Sequence, residues 1–379
     1  MTEFLGTFFS LDNILITTII PFLIVLTVVV FVHEMGHYLV GRWCGIGVRE
    51  FSIGFGPELV GFNDRRGTRW KLSAVPLGGY VKFVGDMSAT SDPSAQDTEA
   101  LTAAERRSAF HLQPVWKRAA TVFAGPAFNF LLAIAVFAVM FSIYGRYVSE
   151  PTVAEVRPGS PAEAAGFQPG DRFVSVEGRA VQTFSDVQRI VSGRAGDALV
   201  FVMLRGDEEV TLVATPEVSQ QTDALGNTIW VGIIGVVNNE ALGQPRHVAY
   251  GPVESVTEAV KETGYIIVRT GQFLQRFAAG REDRCQLGGP VKIADMAGRA
   301  AAMGVEWVVQ LIALLSVGIG FLNLLPIPPL DGGHLAFYGA EAALRRPVSE
   351  RVMEAVYRVG LLLVLAFMVF VFWNDIFGC

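Results

Sequence analysis

The sequence predicts a polytopic α-helical membrane protein with about four transmembrane helices, a membrane-associated β-hairpin region and one small extracytoplasmic α+β domain. Three observations carry that prediction. Hydrophobic residues make up 51% of the 379-residue chain and charged residues only 17%, a balance too apolar for an ordinary soluble enzyme. Long apolar runs near residues 14–40, 119–144, 305–326 and 356–373 each reach the ~20 residues that a helix needs to cross hydrocarbon. Basic residues are sorted unevenly between the connections, as a chain threaded through a membrane requires.

The sorting sets the orientation. No Lys or Arg precedes the first run, while Arg42, Arg49, Arg65, Arg66, Arg69, Lys71, Arg106, Arg107, Lys117 and Arg118 lie between the first two. Arg345, Arg346, Arg351 and Arg358 flank the connection between the last two. The positive-inside rule puts these two connections in the cytoplasm, and the termini and the long segment 146–303 outside. The first run lacks a basic leader and is too long for a secretory h-region, so it reads as a retained helix.

Taken in order, residues 1–45 form the first transmembrane helix, which ends in "VFVHEMGHYLVGRWCG". Residues 46–86 alternate apolar and polar positions between Gly, Pro and Asn-Asp breaks, which reads as a membrane-associated sheet with a hairpin-like break at Gly78–Gly79. Residues 87–115 are a polar cytoplasmic loop. The second transmembrane helix, 116–146, carries Gly125, Pro126 and Asn129 near its start; small residues permit close helix contact, and the Asn can hydrogen-bond across it.

Residues 150–240 read as the α+β domain, with short β-type runs around two helical stretches. Its "PGSPAEAAGFQPGDRFVSVEG" resembles the core of PDZ domains, which take extended peptides or C-termini as an added strand. That resemblance implies a permuted strand order finishing near "TIWVGIIGV". Residues 250–303 are amphipathic linker helices with Val253, Val256 and Val260 on one face, a pattern shared by interfacial and packed linker helices. The third transmembrane helix is 304–327, a loop at 328–353 follows, and the fourth is 354–375. Cys44, Cys285 and Cys379 form no framework pattern, so a structural disulfide is not expected. A net charge of −6 without a basic run excludes nucleic acid as a partner.

The chemistry is concentrated in "HEMGH". His33 and His37, spaced i, i+4, stand one turn apart on one helix face, the separation two imidazoles need to share a metal. Glu34 beside them is placed to act as a general base on water. Ionisable groups at membrane depth cost about 2.5–3.5 kcal/mol each, which bound Zn²⁺ would offset; the plainer reading is that these residues end the span among headgroups. Zinc catalysis needs a third protein ligand. His111 lies in a loop and His247 on the wrong side, whereas Asp331 falls in the irregular stretch that Pro326, Pro328 and Pro329 enforce at the cytoplasmic end of the third span. His334 is a rival ligand that reads more simply as a helix-start residue. Asn323 either binds a peptide carbonyl or oxyanion, or ties helices together.

With "HEMGH" on the first span, "NLLPIPPLDGG" (N-x-x-P-x-x-x-L-D-G) on the third, "GFGP" and the PDZ core between spans two and three, nearly the whole chain resembles the site-2 protease family of intramembrane zinc metalloproteases. The resemblance is to its bacterial branch, typified by the regulator-of-sigma-E protease. It implies that His33, His37 and Asp331 hold Zn²⁺ and that Glu34 activates water. It also implies that the strand-rich segment receives substrate as an added strand, which makes Ser73, Gly78 and Gly79, with Asn323, the substrate-binding candidates. Expected substrates are transmembrane segments of single-span proteins, such as anti-sigma factors or remnant signal peptides. Expected partners are also membrane lipid and a peptide or protein C-terminus at the PDZ domain. The expected place is the bacterial inner membrane, with the site near the cytoplasmic side and the PDZ domain in the periplasm. The best-known enterobacterial members carry two PDZ units where this sequence has one. A membrane-anchored PDZ scaffold would need no Glu34, and a metal transporter would spread polar residues along several spans.

Overall fold

The computed structural model describes residues 15–85, 102–222, 228–238 and 246–378. Most of the expected loop at 87–115 falls outside the described residues. The chain divides into two compact units, Met1–Phe137 with Ala259–Ile267 and Leu287–Cys379, and Ala138–Glu258 with Val268–Gln286.

Among the described residues four helices are long and apolar enough to cross a membrane. Helix α1 is Ile20–Trp43, opened by Pro21 in its first turn, where a missing N–H costs nothing. A short helix α2, Ala103–Ser108, is capped by Thr102 and Glu105. Helix α3 spans Val115–Tyr144, of which the part up to Phe137 belongs to the first unit. Close approach of α1 and α3 depends on small residues: a Cβ on Gly36 would strike the backbone carbonyl of Ala124.

Between α1 and α2 lie strands β1 (Val48–Asn63) and β2 (Arg69–Phe83). The tight turn joining them is at Asp64–Gly67, where Asp64 Oδ1 accepts from the backbone N–H groups of Arg66 (2.8 Å) and Thr68 (2.9 Å). Gly78, expected at the hairpin turn, instead marks a bend inside β2 with φ +143°, a region that favours glycine. Each strand therefore supplies two segments. Asn63↔Arg69 through Glu58↔Ser73 pair antiparallel, and so do Val48↔Phe83 through Ile53↔Gly79. Between them the partners Glu50↔Arg69 to Ile53↔Leu72 rise together, so the order across the sheet is 79–83, 48–53, 69–73, 58–63. Alternation predicted the strands, but register depends on which face is buried. Here that face is an aromatic cluster: Phe51 stacks on Trp70 at 4.4 Å between ring centroids, and Tyr38 of α1 meets both edge-on.

In the rest of this unit, α7 is Pro290–Met303 and α8 is Val305–Asn323. A turn over 324–330 contains a cis Pro328–Pro329 bond. Residues 328–353, expected as a loop, hold helix α9, Asp331–Leu344. The physical reason is an apolar periodicity: Leu335 and Tyr338 pack onto the same core as Tyr38, Phe51 and Phe83. Arg118 on α3 fixes α9 from outside, pairing with Glu341 at 2.8 Å and lying over the Tyr338 ring. Helix α10 is Glu350–Trp373, and Asp375 beyond it accepts from the N–H groups of Gly289, Val291 and Lys292 at 2.9–3.2 Å, capping α7.

The second unit is an α+β domain built on an antiparallel sheet in the order β4 (Arg179–Ala180), β3 (Arg172–Val176), β5 (Leu199–Arg205), β6 (Glu208–Ala214). Helix α4 (Pro161–Ala164) is capped by Ser160 Oγ, and α5 (Phe184–Ser192) by a Thr183–Asp186 capping box. Its core includes Phe173, Val176, Leu199, Phe201 and Met203, each side chain worth roughly 1.5–3 kcal/mol on burial. The "PGD" aspartate, Asp171, is 1% exposed and accepts from Arg205 Nε and Nη2, each at 2.8 Å. Val236–Val237 returns beside Glu155–Val156, so a late strand closes the domain against an early one. Strands Arg146–Val148 and Arg246–Val248 pair outside the expected 150–240 limits, because their three-residue runs are too short to show a period. Within this unit the last turns of α6 (Pro252–Ala278) are bound by Arg276, which donates to Asp197 and to the Ala195 carbonyl. Cys285 is disulfide-bonded, which corrects the expectation of no disulfide; sequence spacing says nothing about which distant thiols meet in space.

Candidate metal centre

His33 and His37 sit on the inner face of α1, 8% exposed each, with rings 4.8 Å apart at 85°. Asp331 is the first residue of α9, so its carboxylate lies at a helix N-terminus, where negative charge is favoured. The fold brings these three together: the two Nε2 atoms are 3.2 Å apart, and Asp331 Oδ2 lies 3.2 Å from His33 Nε2 and 3.5 Å from His37 Nε2.

Three features test whether this cluster fits zinc. Tetrahedral bonds of about 2.0–2.1 Å separate neighbouring ligand atoms by about 3.3 Å, which is the spacing observed. Asp331 Oδ2 is buried and takes no aligned hydrogen bond, a cost that a cation removes. Each imidazole has its second nitrogen engaged behind it. His37 Nδ1 is 2.9 Å from the Thr121 carbonyl, which can only accept, so Nδ1 carries the proton and Nε2 is left bare to ligate. His33 Nδ1 lies 3.3 Å from the Asn129 side chain. Space for both rings exists because α3 has glycine at 125; a Cβ there would collide with His37 Nε2 and crowd His33 Cε1.

Glu34 adjoins the cluster, with His37, His33 and Asp331 as its electrostatic neighbours. No hydrogen bond or ion pair among the described residues holds its carboxylate, which leaves it available to carry a proton. Its stem is bounded by the sheet: Gly79, at the start of the edge segment 79–83, faces Glu34 Cγ and Val30 Cγ1.

The other sequence candidates fall in different places. Gly78 bends β2 against the Phe55 ring. Ser73 is 2% exposed and bonds Ser52 Oγ at 3.0 Å, so its hydroxyl is taken up inside the sheet. Asn323 ends α8 half-buried, and its amide has no hydrogen bond among the described residues. His334 bonds Tyr357 and is not among the clustered ligand atoms. Sequence reasoning assigned Gly125 and Asn129 to helix packing alone. Their i, i+4 spacing opposite an H-E-x-x-H face was the available signal.

The sequence model of peptidase family M50 matches residues 21–367. A Mesorhizobium japonicum protein named as a zinc metalloprotease is 73% identical over 363 residues, which cover 96% of this chain and 99% of that one. A Brucella suis protein named in the same way is 63% identical over 379 residues, the whole of both chains. Metalloprotease MmpA of Caulobacter vibrioides is 39% identical over 380 residues, covering 94% of this chain and 95% of its own. Among solved structures, the PDZ domain of the SdrC-like protein from Listeria monocytogenes is 19% identical and covers 26% of this chain and 94% of that chain at a TM-score of 0.20, too low a score to bear on the fold.

Proposed function

The chain belongs to peptidase family M50 and is a zinc metalloprotease, and from that premise we propose that it cleaves the transmembrane segments of single-span membrane proteins. One observation carries the reading. A rise of about 1.5 Å per residue puts His33 roughly 20 Å along α1 from Ile20, which supports, with α1 taken as a membrane span, a cluster at a depth that soluble proteases do not reach.

In this reading His33, His37 and Asp331 hold the zinc and Glu34 is the general base. Bound zinc supplies Lewis acidity at a peptide carbonyl and lowers the pKa of a water to about 7. Glu34 takes a proton from the attacking water and returns it to the amide nitrogen as the C–N bond breaks. Thr121 and α3 hold the imidazoles in place. A helical substrate hides its carbonyls in its own hydrogen bonds, so it must be drawn out as a strand. Among the described residues the segment Gly79–Phe83 pairs on one side only, with Val48–Ile53, and it begins beside Glu34, which suits it to receive that strand. Asn323, whose amide has no hydrogen bond among the described residues, is assigned to a substrate carbonyl in this reading.

The arginine sorting supports a bacterial inner-membrane protein with this centre toward the cytoplasm and the α+β domain in the periplasm. That domain acts as a PDZ module that takes a peptide or protein C-terminus, and anti-sigma factors or remnant signal peptides fit as substrates in regulated intramembrane proteolysis. The test is the full chain in lipid vesicles with a single-span substrate, wild type against Glu34→Gln, with zinc measured in both. The variant is expected to keep one zinc and lose cleavage; cleavage at the wild-type rate would overturn the assignment.

A further inference from the structure

Asn129 is fully buried, and its side chain is the neighbour of His33 Nδ1 at 3.3 Å. As placed, Nδ2 faces the imidazole and Oδ1 is buried with no partner. The two ends of an amide are distinguished only by the hydrogen bonds they make. Zinc on Nε2 requires the His33 proton to be on Nδ1, and Nδ1–H facing an NH₂ group sets donor against donor. Turning the amide over presents Oδ1 to Nδ1–H, and the unpartnered acceptor gains a donor. The backbone around Asn129 is held while this happens: Ser316 Oγ donates to its carbonyl at 2.9 Å, and a Cβ at Gly320 would stand 3.1 Å from the Asn129 Cβ.

We propose that Asn129 is a positioning residue for the metal centre: it accepts the Nδ1 proton of His33 through Oδ1, which selects the tautomer that leaves Nε2 bare for zinc. The inference rests on the metal-centre reading above. Groups that fix the far nitrogen of a ligating histidine typically change metal affinity by about 10–100-fold. For His37 a backbone carbonyl does this, which no substitution removes. For His33 the task falls to a side chain, so it can be mutated.

The test measures zinc affinity of the full chain in detergent, by competition with a chromogenic chelator, for wild type, Asn129→Asp and Asn129→Leu. Aspartate can only accept, so the proposal expects it to bind zinc within about 3-fold of wild type or more tightly. Leucine offers no acceptor, and its affinity is expected to fall about 10–100-fold. A cobalt-substituted sample adds a spectroscopic check: the visible bands of Asn129→Asp should overlay those of wild type, and those of Asn129→Leu should not. If Asn129→Asp loses ten-fold or more, the amide serves as a donor and the proposal is overturned. It is equally overturned if Asn129→Leu binds like wild type. Should the leucine variant fail to fold, the aspartate arm decides alone. Wild-type protein that binds no zinc would instead overturn the metal centre itself.

Discussion

The position a Cβ would occupy on Gly79 lies 3.0 Å from Glu34 Cγ, 3.0 Å from Val30 Cγ1 and 2.8 Å from the Ser52 carbonyl. Backbone on one side and a helix on the other leave Glu34 as the group that must yield. Gly79→Ala is therefore expected to displace Glu34, the proposed general base, without touching a proposed metal ligand. Misplacement near 1 Å costs on the order of 100-fold in rate, so kcat should fall about 10–100-fold while zinc content stays that of wild type. Unchanged turnover in a single-span substrate assay would show that the sheet does not position Glu34.

At Gly125 the same reasoning reaches the metal. A methyl group there meets His37 Nε2, a proposed zinc ligand, and His33 Cε1, the ring carbon beside the other. Gly125→Ala should lose zinc to dialysis under conditions in which wild type keeps it. Gly318→Ala is the control, since nothing lies within 4 Å of its Cβ position. Equal zinc retention in both variants would count against the packing argument.

In the α+β domain, burial alone would raise the Asp171 carboxyl, but Arg205 and the Gln168 N–H hold it below its ordinary value. A depressed carboxyl stabilises the fold above the unfolded-state pKa of about 4, and that stability is lost as pH falls through the folded value. Amide exchange of Phe173 and Met203 in the full chain, taken relative to the intrinsic rate at each pH, should therefore accelerate below about pH 4. The acceleration should be much smaller in Asp171→Asn, which has no carboxylate to protonate. Matching acid profiles for the two proteins would remove Asp171 as the cause.

Asp375 holds three N–H groups at the start of α7. Removing a cap of this kind costs about 0.5–2 kcal/mol. Asp375→Ala should thus speed exchange at Val291 and Lys292 and leave the middle of α7, around Ala297, unchanged. Protection that persists at the first turn would mean that packing, and not the carboxylate, holds it.

What could be read before the structure was whatever depends on composition and short spacing. Four long apolar helices followed from apolar length, and the His33–His37 pair from the i, i+4 repeat. Asp331 needed only the proline breaks at 326, 328 and 329. What could not be read depends on how distant segments meet. The segment order in the sheet follows from Phe51 stacking on Trp70, which fixes a register that alternation leaves open. The helix at 331–344 was hidden behind prolines and glycines that usually signal a loop. The roles of Gly79, Gly125 and Asn129 appear only when α3 and β2 are laid against α1, because a glycine's meaning is the atom that occupies the space beside it.

The proposed ligands come from helices roughly 300 residues apart in the chain, α1 and α9. A cation gripped by both is a clasp on a very long loop, and its affinity is counted as folding free energy because the unfolded chain cannot form the same site. Zinc availability then governs more than turnover. In that reading the metal ties α1 to the start of α9, so zinc loading is expected to protect both segments against local opening.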